Sequence, residues 1–206
     1  MVTSAGFLIV ANVGDSRATL CCAVGKPEDA SAVDLSVDHT AMNALEAKRI
    51  IDLGGFIETS GEVHRVMGKV AVTRSIGNRP LKRYLSASPH TVILNLSHTE
   101  AMGTQVEFRF LVLATDGLWD VMSSEEAVAF VLNRLKHSEA IGKEGDSDSY
   151  SDSEGVRMGF WQQAATALTH EALVRGSSDN IGVCVINLQS RLPAQQKTTT
   201  ATTETA

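Results

Sequence analysis

Phe108-Arg109-Phe110-Leu111-Val112-Leu113-Ala114-Thr115-Asp116-Gly117-Leu118-Trp119-Asp120 is the stretch that decides the fold. Its first seven residues are β-formers with a single charge among them, the pattern of a strand buried within a sheet. The run stops at Thr115-Asp116-Gly117, a turn signal, so the Asp116 carboxylate emerges at a sheet rim beside an open backbone. Asp120, four residues further on, shares that rim. Ser123 with Glu126 then forms a capping box. Val128, Val131, Leu132 and Leu135 follow as one apolar helical stripe.

Upstream, Phe7-Leu8-Ile9-Val10-Ala11-Asn12-Val13 is a second strand, continuous enough in apolar residues to imply burial on both faces. It ends at Gly14-Asp15-Ser16, and Ala18 to Cys22 reads as its hairpin partner. A chain that starts within such a strand is expected to be a fragment or a late start at Met1. Asn43 to Leu53 is helical, with Gly54-Gly55 as its stop. Val63 to Ile76 is expected as short strands and a loop, and Thr91 to Leu96 as a strand.

Downstream, Trp161, Ala164, Leu168 and Ala172 mark a second long helix that Gly176 ends, and Ile181 to Leu188 alternates as a final strand. Strands in antiparallel arrangement with helices gathered between them predict an α+β domain over residues 1–190. Residues 138–155, rich in Ser, Asp, Glu and Gly, are expected to be a disordered acidic insert. The Thr- and Gln-rich tail 191–206 is expected to be disordered too.

Composition narrows the classes. The chain has 206 residues, 43% of them apolar and 20% charged, enough for one real core. No apolar run approaches the roughly 18 residues of a membrane helix, and no basic leader precedes the first strand, so no membrane partner is expected. A net charge of -6 argues against nucleic acid. Cys21, Cys22 and Cys184 are too few and too poorly spaced for a disulfide framework. They predict reduced thiols in a cytoplasmic or nuclear protein.

Several sites are excluded by spacing. Gly14-Asp15-Ser16-Arg17-Ala18 fails as a nucleophile elbow at Ala18. No phosphate loop or dinucleotide fingerprint is present. The stretch from Asp146 fails as a calcium loop at Ser151 and Arg157. The histidines show no metal-ligand spacing. What remains is Asp15, Asp116, Asp120 and Asp179, acidic residues at strand ends far apart in sequence. Oxygen-only donors of that kind suit a hard divalent cation. The same residues are also ordinary turn formers, and on residues alone both readings stand.

Longer motifs add a resemblance. Leu8 to Ala18, with Gly14-Asp15-Ser16-Arg17 at its end, resembles a motif of the type 2C (PPM) metal-dependent serine/threonine protein phosphatases. So does Asp38-His39 followed by Glu46, Arg49-Ile50 and Gly54-Gly55. Arg65-Val66-Met67-Gly68 with Ala71 to Gly77, Leu113 to Asp120, and Ser178-Asp179-Asn180-Ile181 match three further motifs of that family in its order. The resemblance spans most of residues 8–188.

The resemblance implies a partial α-β-β-α sandwich of two antiparallel sheets with helices, metals being held at one edge. It implies Mg²⁺ or Mn²⁺ as cofactor, a phosphoprotein as substrate, and direct attack of a metal-activated water on phosphoserine or phosphothreonine. Carried over by motif, Asp116 and Asp179 match the core metal ligands, and Asp15 with Asp116 and Asp120 a weaker third site. Arg74 falls in the flap and is assigned to substrate. The family's phosphate-binding arginine and its Asp-Gly-His-Gly-Gly element, which carries the general-acid histidine, have no counterpart here. Asn78 stands where the family has aspartate. These departures imply that the front of the domain is missing and that the chain alone is inactive. The alternative is a non-catalytic phosphatase-like scaffold or regulatory module.

Overall fold

The computed structural model describes residues 2–4, 6–61, 63–96, 100–101, 104–144 and 154–189. In chain order, β1 (Val2–Ser4), β2 (Phe7–Asn12), β3 (Arg17–Val24) and β4 (Ala30–Asp34) precede helix α1 (Ala44–Asp52). A small hairpin, β5 (Ile57–Ser60) and β6 (Val63–Val66), leads through a long loop to β7 (His90–Asn95) and β8 (Glu100–Ala101). Strand β9 (Thr104–Ala114), the single turn α2 (Asp116–Trp119), helices α3 (Ser124–Glu144) and α4 (Glu154–Val174), and β10 (Val183–Asn187) complete the order. No helix of the described residues is long and apolar enough to cross a membrane.

All named pairings are antiparallel. One sheet runs β1-β2-β7, the other β10-β9-β3-β4 with β8 at its side, and β5-β6 stands apart. The decisive stretch is therefore central: β9 takes β3 on one side, Thr19 opposite Val112, and β10 on the other, Val185 opposite Val112. Its side chains divide by parity as a pleat requires. Phe110, Val112 and Ala114 face α3 and α4, in one cluster with Val128, Val131, Ala164 and Leu168. Leu111 and Leu113 face the other sheet, meeting Leu8, Val10 and Leu20. Phe110, Leu111 and Val112 are fully buried, each such side chain contributing about 1.5–3 kcal/mol.

Two expectations about the start of the chain are corrected. Strands β2 and β3 do not form a hairpin: β2 pairs with β1 and β7, and β3 with β9 and β4. The turn at Gly14-Asp15-Ser16 carries the chain from one sheet to the other. The reason is packing, since Leu8 and Val10 meet Ala18 and Leu20 face to face between the layers. Nor is β2 buried on both sides. Leu8 and Val10 are buried, whereas Phe7 is 41% exposed and Ile93, which lies opposite Ile9 on β7, 64%.

The helix ends follow their sequence signals. Asn43 caps α1 by accepting from the Leu45 and Glu46 amides, and Ser123 and Glu126 exchange the two bonds of a capping box before α3. Helix α3 runs on to Glu144 and α4 begins at Glu154, so both reach into the stretch 138–155. Residues 145–153 and the tail 191–206 lie outside the described residues.

Candidate active site

The rim of the five-stranded sheet carries two loops, and backbone chemistry ties them together. After β9 the chain turns into α2, with Trp119 Nε1 donating back to the Ala114 carbonyl at 2.9 Å. Before β10 lies Ser177-Ser178-Asp179-Asn180. The Thr115 amide donates to the Gly182 carbonyl at 3.0 Å, and the Gly182 amide to Thr115 Oγ1 at 3.0 Å. Thr115 Oγ1 donates to the Asn180 carbonyl at 2.9 Å, and Ser177 Oγ to the Gly117 carbonyl at 2.6 Å. Gly117 is required here, because a Cβ would stand 2.6 Å from the Asn180 oxygen. Asp116 and Asp179 thus sit on adjacent, mutually bonded loops. Each carboxylate also accepts from the next amide, Gly117 N at 2.9 Å and Asn180 N at 2.6 Å.

Asp15 arrives from the crossing between the sheets. Gly14 takes a φ of 112° there, a value L side chains avoid. Its carbonyl accepts from Asn12 Nδ2 and from the His39 amide, both at 3.0 Å. Its amide lies 3.3 Å from His39 Nδ1. His39 is 1% exposed; burial first, and then the Arg74 guanidinium, hold its pKa below the ordinary range. Nδ1 also lies 3.1 Å from the Gly14 carbonyl, and the ring tautomer decides which of the two contacts is the hydrogen bond.

These segments enclose a cavity of about 220 Å³ whose lining includes Asp15, Asp38, Asp116 and Asp120 together with Arg17 and His64. Burial raises the Asp15 pKa, and the charges of Asp116, Asp38 and Asp120 raise it further, against its own backbone hydrogen bond. Burial also raises Asp120, as do Asp116 and Asp179, with Arg17 opposing. Asp179 does not line the cavity but acts on it through Asp120. Among the described residues, no three His, Cys, Asp or Glu side chains close around one point as a metal shell. The carboxylate donors nonetheless suit a hard cation, and the charge of Asp116 opposes the ionisation of both Asp15 and Asp120. A larger cavity of about 350 Å³, lined by Val10, Leu113 and Val183 among others, has no carboxylate in its lining.

Arg74, assigned to substrate by its motif, is engaged within the chain. Its Nε and Nη2 donate to Glu46 Oε1 at 3.1 and 2.6 Å, and its Nη1 donates to the Ser88 carbonyl at 2.9 Å. It is absent from the lining of the acidic cavity. Glu46, 5% exposed, also accepts from Arg49 and Thr73 on Oε2. Arg49 donates in turn to the carbonyls of Tyr84 and Thr73, so one buried carboxylate gathers the loop that follows β6. Sequence reasoning assigned no role to Glu46 or to the cavity residue Asp38. Both stood inside quoted motifs, but Arg74 lies 28 residues from Glu46 and Arg17 21 residues from Asp38, pairings that periodicity does not reveal.

Comparison with known proteins agrees with this geometry. The Protein phosphatase 2C family model matches residues 1–181. "Probable protein phosphatase 2C 59" of Oryza sativa subsp. japonica is 39% identical over 179 residues, covering 87% of this chain and 43% of that protein. "Protein phosphatase 1L" of Bos taurus is 34% identical over 190 residues, covering 92% of this chain and 43% of its own length. The chain therefore spans less than half of either relative. The crystal structure of serine-threonine phosphatase 2C from Toxoplasma gondii superposes with a TM-score of 0.62 at 25% identity, covering 89% of this chain and 55% of that one. A C. elegans sex determining protein superposes at 0.66 with 20% identity, over 89% of this chain and 37% of that one, a likeness of fold. With nearly nine-tenths of its residues accounted for by one family model, the chain belongs to the protein phosphatase 2C family.

Proposed function

We propose that the protein hydrolyses phosphoserine and phosphothreonine on protein substrates with the help of Mg²⁺ or Mn²⁺, and that this chain supplies part of the metal-holding rim. Asp116 and Asp179 would hold the core ions, and Asp15 with Asp116 and Asp120 a weaker further ion. A bound ion of this kind lowers the pKa of its water and neutralises phosphoryl charge. The chain's own part is positional. The bonds from Thr115 and Ser177 keep the Asp116 and Asp179 loops in one fixed relation, and His39 with Asn12 fixes the backbone next to Asp15.

The observation that carries the reading is the convergence of Asp15, Asp116 and Asp120 on one cavity beside the Asp179 loop. A second reading, a module that binds without turnover, has its own support: Arg17 is held by Asp38 and Arg74 by Glu46, so neither guanidinium is free to take a phosphoryl group. Since the chain alone is expected to be inactive, the test is release of phosphate from a phosphothreonine peptide with Mn²⁺ by a protein that carries this chain within a complete phosphatase 2C domain, for wild type and Asp116→Asn. Metal-dependent turnover that the substitution abolishes is the expected result. Mn²⁺ binding without turnover would select the second reading. Turnover indifferent to chelator and to Asp116→Asn would overturn the first.

A further inference from the structure

The acidic cavity holds one cation of its own. Arg17 Nη2 donates to Asp38 Oδ2 at 2.6 Å, and its Nε lies 3.3 Å from both Asp38 oxygens. Nη1 donates to Ser124 Oγ at 3.2 Å. Ser124 is buried and is anchored by donating to Asp34 Oδ1 at 2.7 Å. The guanidinium carbon lies 5.2 Å from the centroid of the Trp119 ring. Three separate segments therefore fix this side chain: the chain after β4, α2 and the first residue of α3. Arg17 cannot swing toward a ligand without giving up all of these contacts.

We propose that Arg17, pinned by Asp38, is a built-in counter-charge that limits how tightly the Asp15–Asp116–Asp120 cavity binds a divalent cation. The inference rests on the reading of that cavity as a metal site. The charge arithmetic is direct, since four carboxylates and one guanidinium line the cavity, for a net charge of three negative rather than four. The pair is partly exposed, 23% and 27% for the two side chains, and an ion pair so placed adds little to stability. Its field, in contrast, acts across a small and partly desolvated volume, where a fixed charge is felt strongly by a dication. Asp38 does two things: it holds the guanidinium in place and cancels part of its charge.

Mn²⁺ alone is the probe, titrated into the full chain and followed by loss of the free-ion electron paramagnetic resonance signal. Arg17→Gln is expected to tighten binding about tenfold, and Asp38→Asn to weaken it about tenfold. Arg17→Lys, which keeps the charge, should stay within about twofold of wild type. The sign separates this role from a structural one, because a variant that merely loosened the fold would bind less metal. Arg17→Gln that folds and binds equally or more weakly overturns the proposal. If Arg17→Gln does not fold, Arg17→Met, which also removes the charge, decides by the same sign, and equal or weaker binding overturns the proposal. Wild-type chain that takes up no Mn²⁺ sinks the reading of the cavity itself. Wild type that binds while the variants fail to shift sinks only the role given to Arg17.

Discussion

Replacing Glu46 by glutamine should cost the fold about 3 kcal/mol at neutral pH, and the loss should fade in acid. Burial alone would raise the pKa of this carboxylate, but the hydrogen bonds from Arg74, Arg49 and Thr73 outweigh it and hold the value at about 2, against an ordinary 4.5. That difference corresponds to about 3 kcal/mol of preference for the charged form. Glutamine is isosteric, yet it brings an NH₂ against donors and leaves two guanidinium groups without their anion, a costly exchange in a buried position. The sign follows from the depressed pKa. The stabilisation is complete above pH 4.5, the unfolded value, and drains away as pH falls through it toward about 2. About 1.4 kcal/mol of it is gone by about pH 3.5. Urea unfolding of wild type and Glu46→Gln at both pH values measures the gap. A gap under about 1 kcal/mol at neutral pH, or one that does not shrink in acid, would refute the account of Glu46 as a charged hub.

Two further expectations concern the rim and the core. Gly117→Ala drives a methyl to 2.6 Å from the Asn180 carbonyl, so the Asp116 and Asp179 loops must part. Stability should fall by about 1–3 kcal/mol by thermal melting, and Mn²⁺ affinity should fall with it; a variant with both unchanged would disprove the tether. Thiol labelling of the native chain should modify Cys184 rapidly and spare Cys21 and Cys22. Cys184 is exposed, whereas burial pushes the Cys21 thiol up to about 12 and raises that of Cys22. Rapid modification of all three under native conditions would contradict the two-layer core.

How far the sequence could be read depended on the range of the interaction that decides each element. Strand β9, the capping box at Ser123 and Glu126, the Asn43-to-Leu53 helix and the Gly176 stop are written in neighbouring residues, and the structure has each of them. The adjacency of Asp116 and Asp179 was also legible, because both flank strands whose apolar pattern invites pairing, and β9 does pair with β10. The layer change at Gly14 was not. A turn between two apolar runs looks the same whether the runs pair edge to edge or stack face to face, and the choice is made by Leu8, Val10 and Leu20 meeting across the core. Arg74 shows the same boundary. Its motif placed it in the right loop, but its partner, Glu46, is buried on a helix that only the folded chain brings near.

The turn at Gly14 and Asp15 has a mechanical consequence. Asp116 and Asp179 ride on neighbouring strands of a single sheet, hydrogen-bonded along their length, and so keep their spacing whatever the layers do. Asp15 instead sits on the bridge between two sheets whose layers meet through the packing of Leu8, Val10, Leu20 and Leu111. A slip of one layer over the other would move Asp15 against the pair without altering the pair. The position of the Asp15 carboxylate is thereby linked to how well Leu8, Val10 and Leu111 interlock, and a cavity cut into that seam would be sensed first at this one side chain.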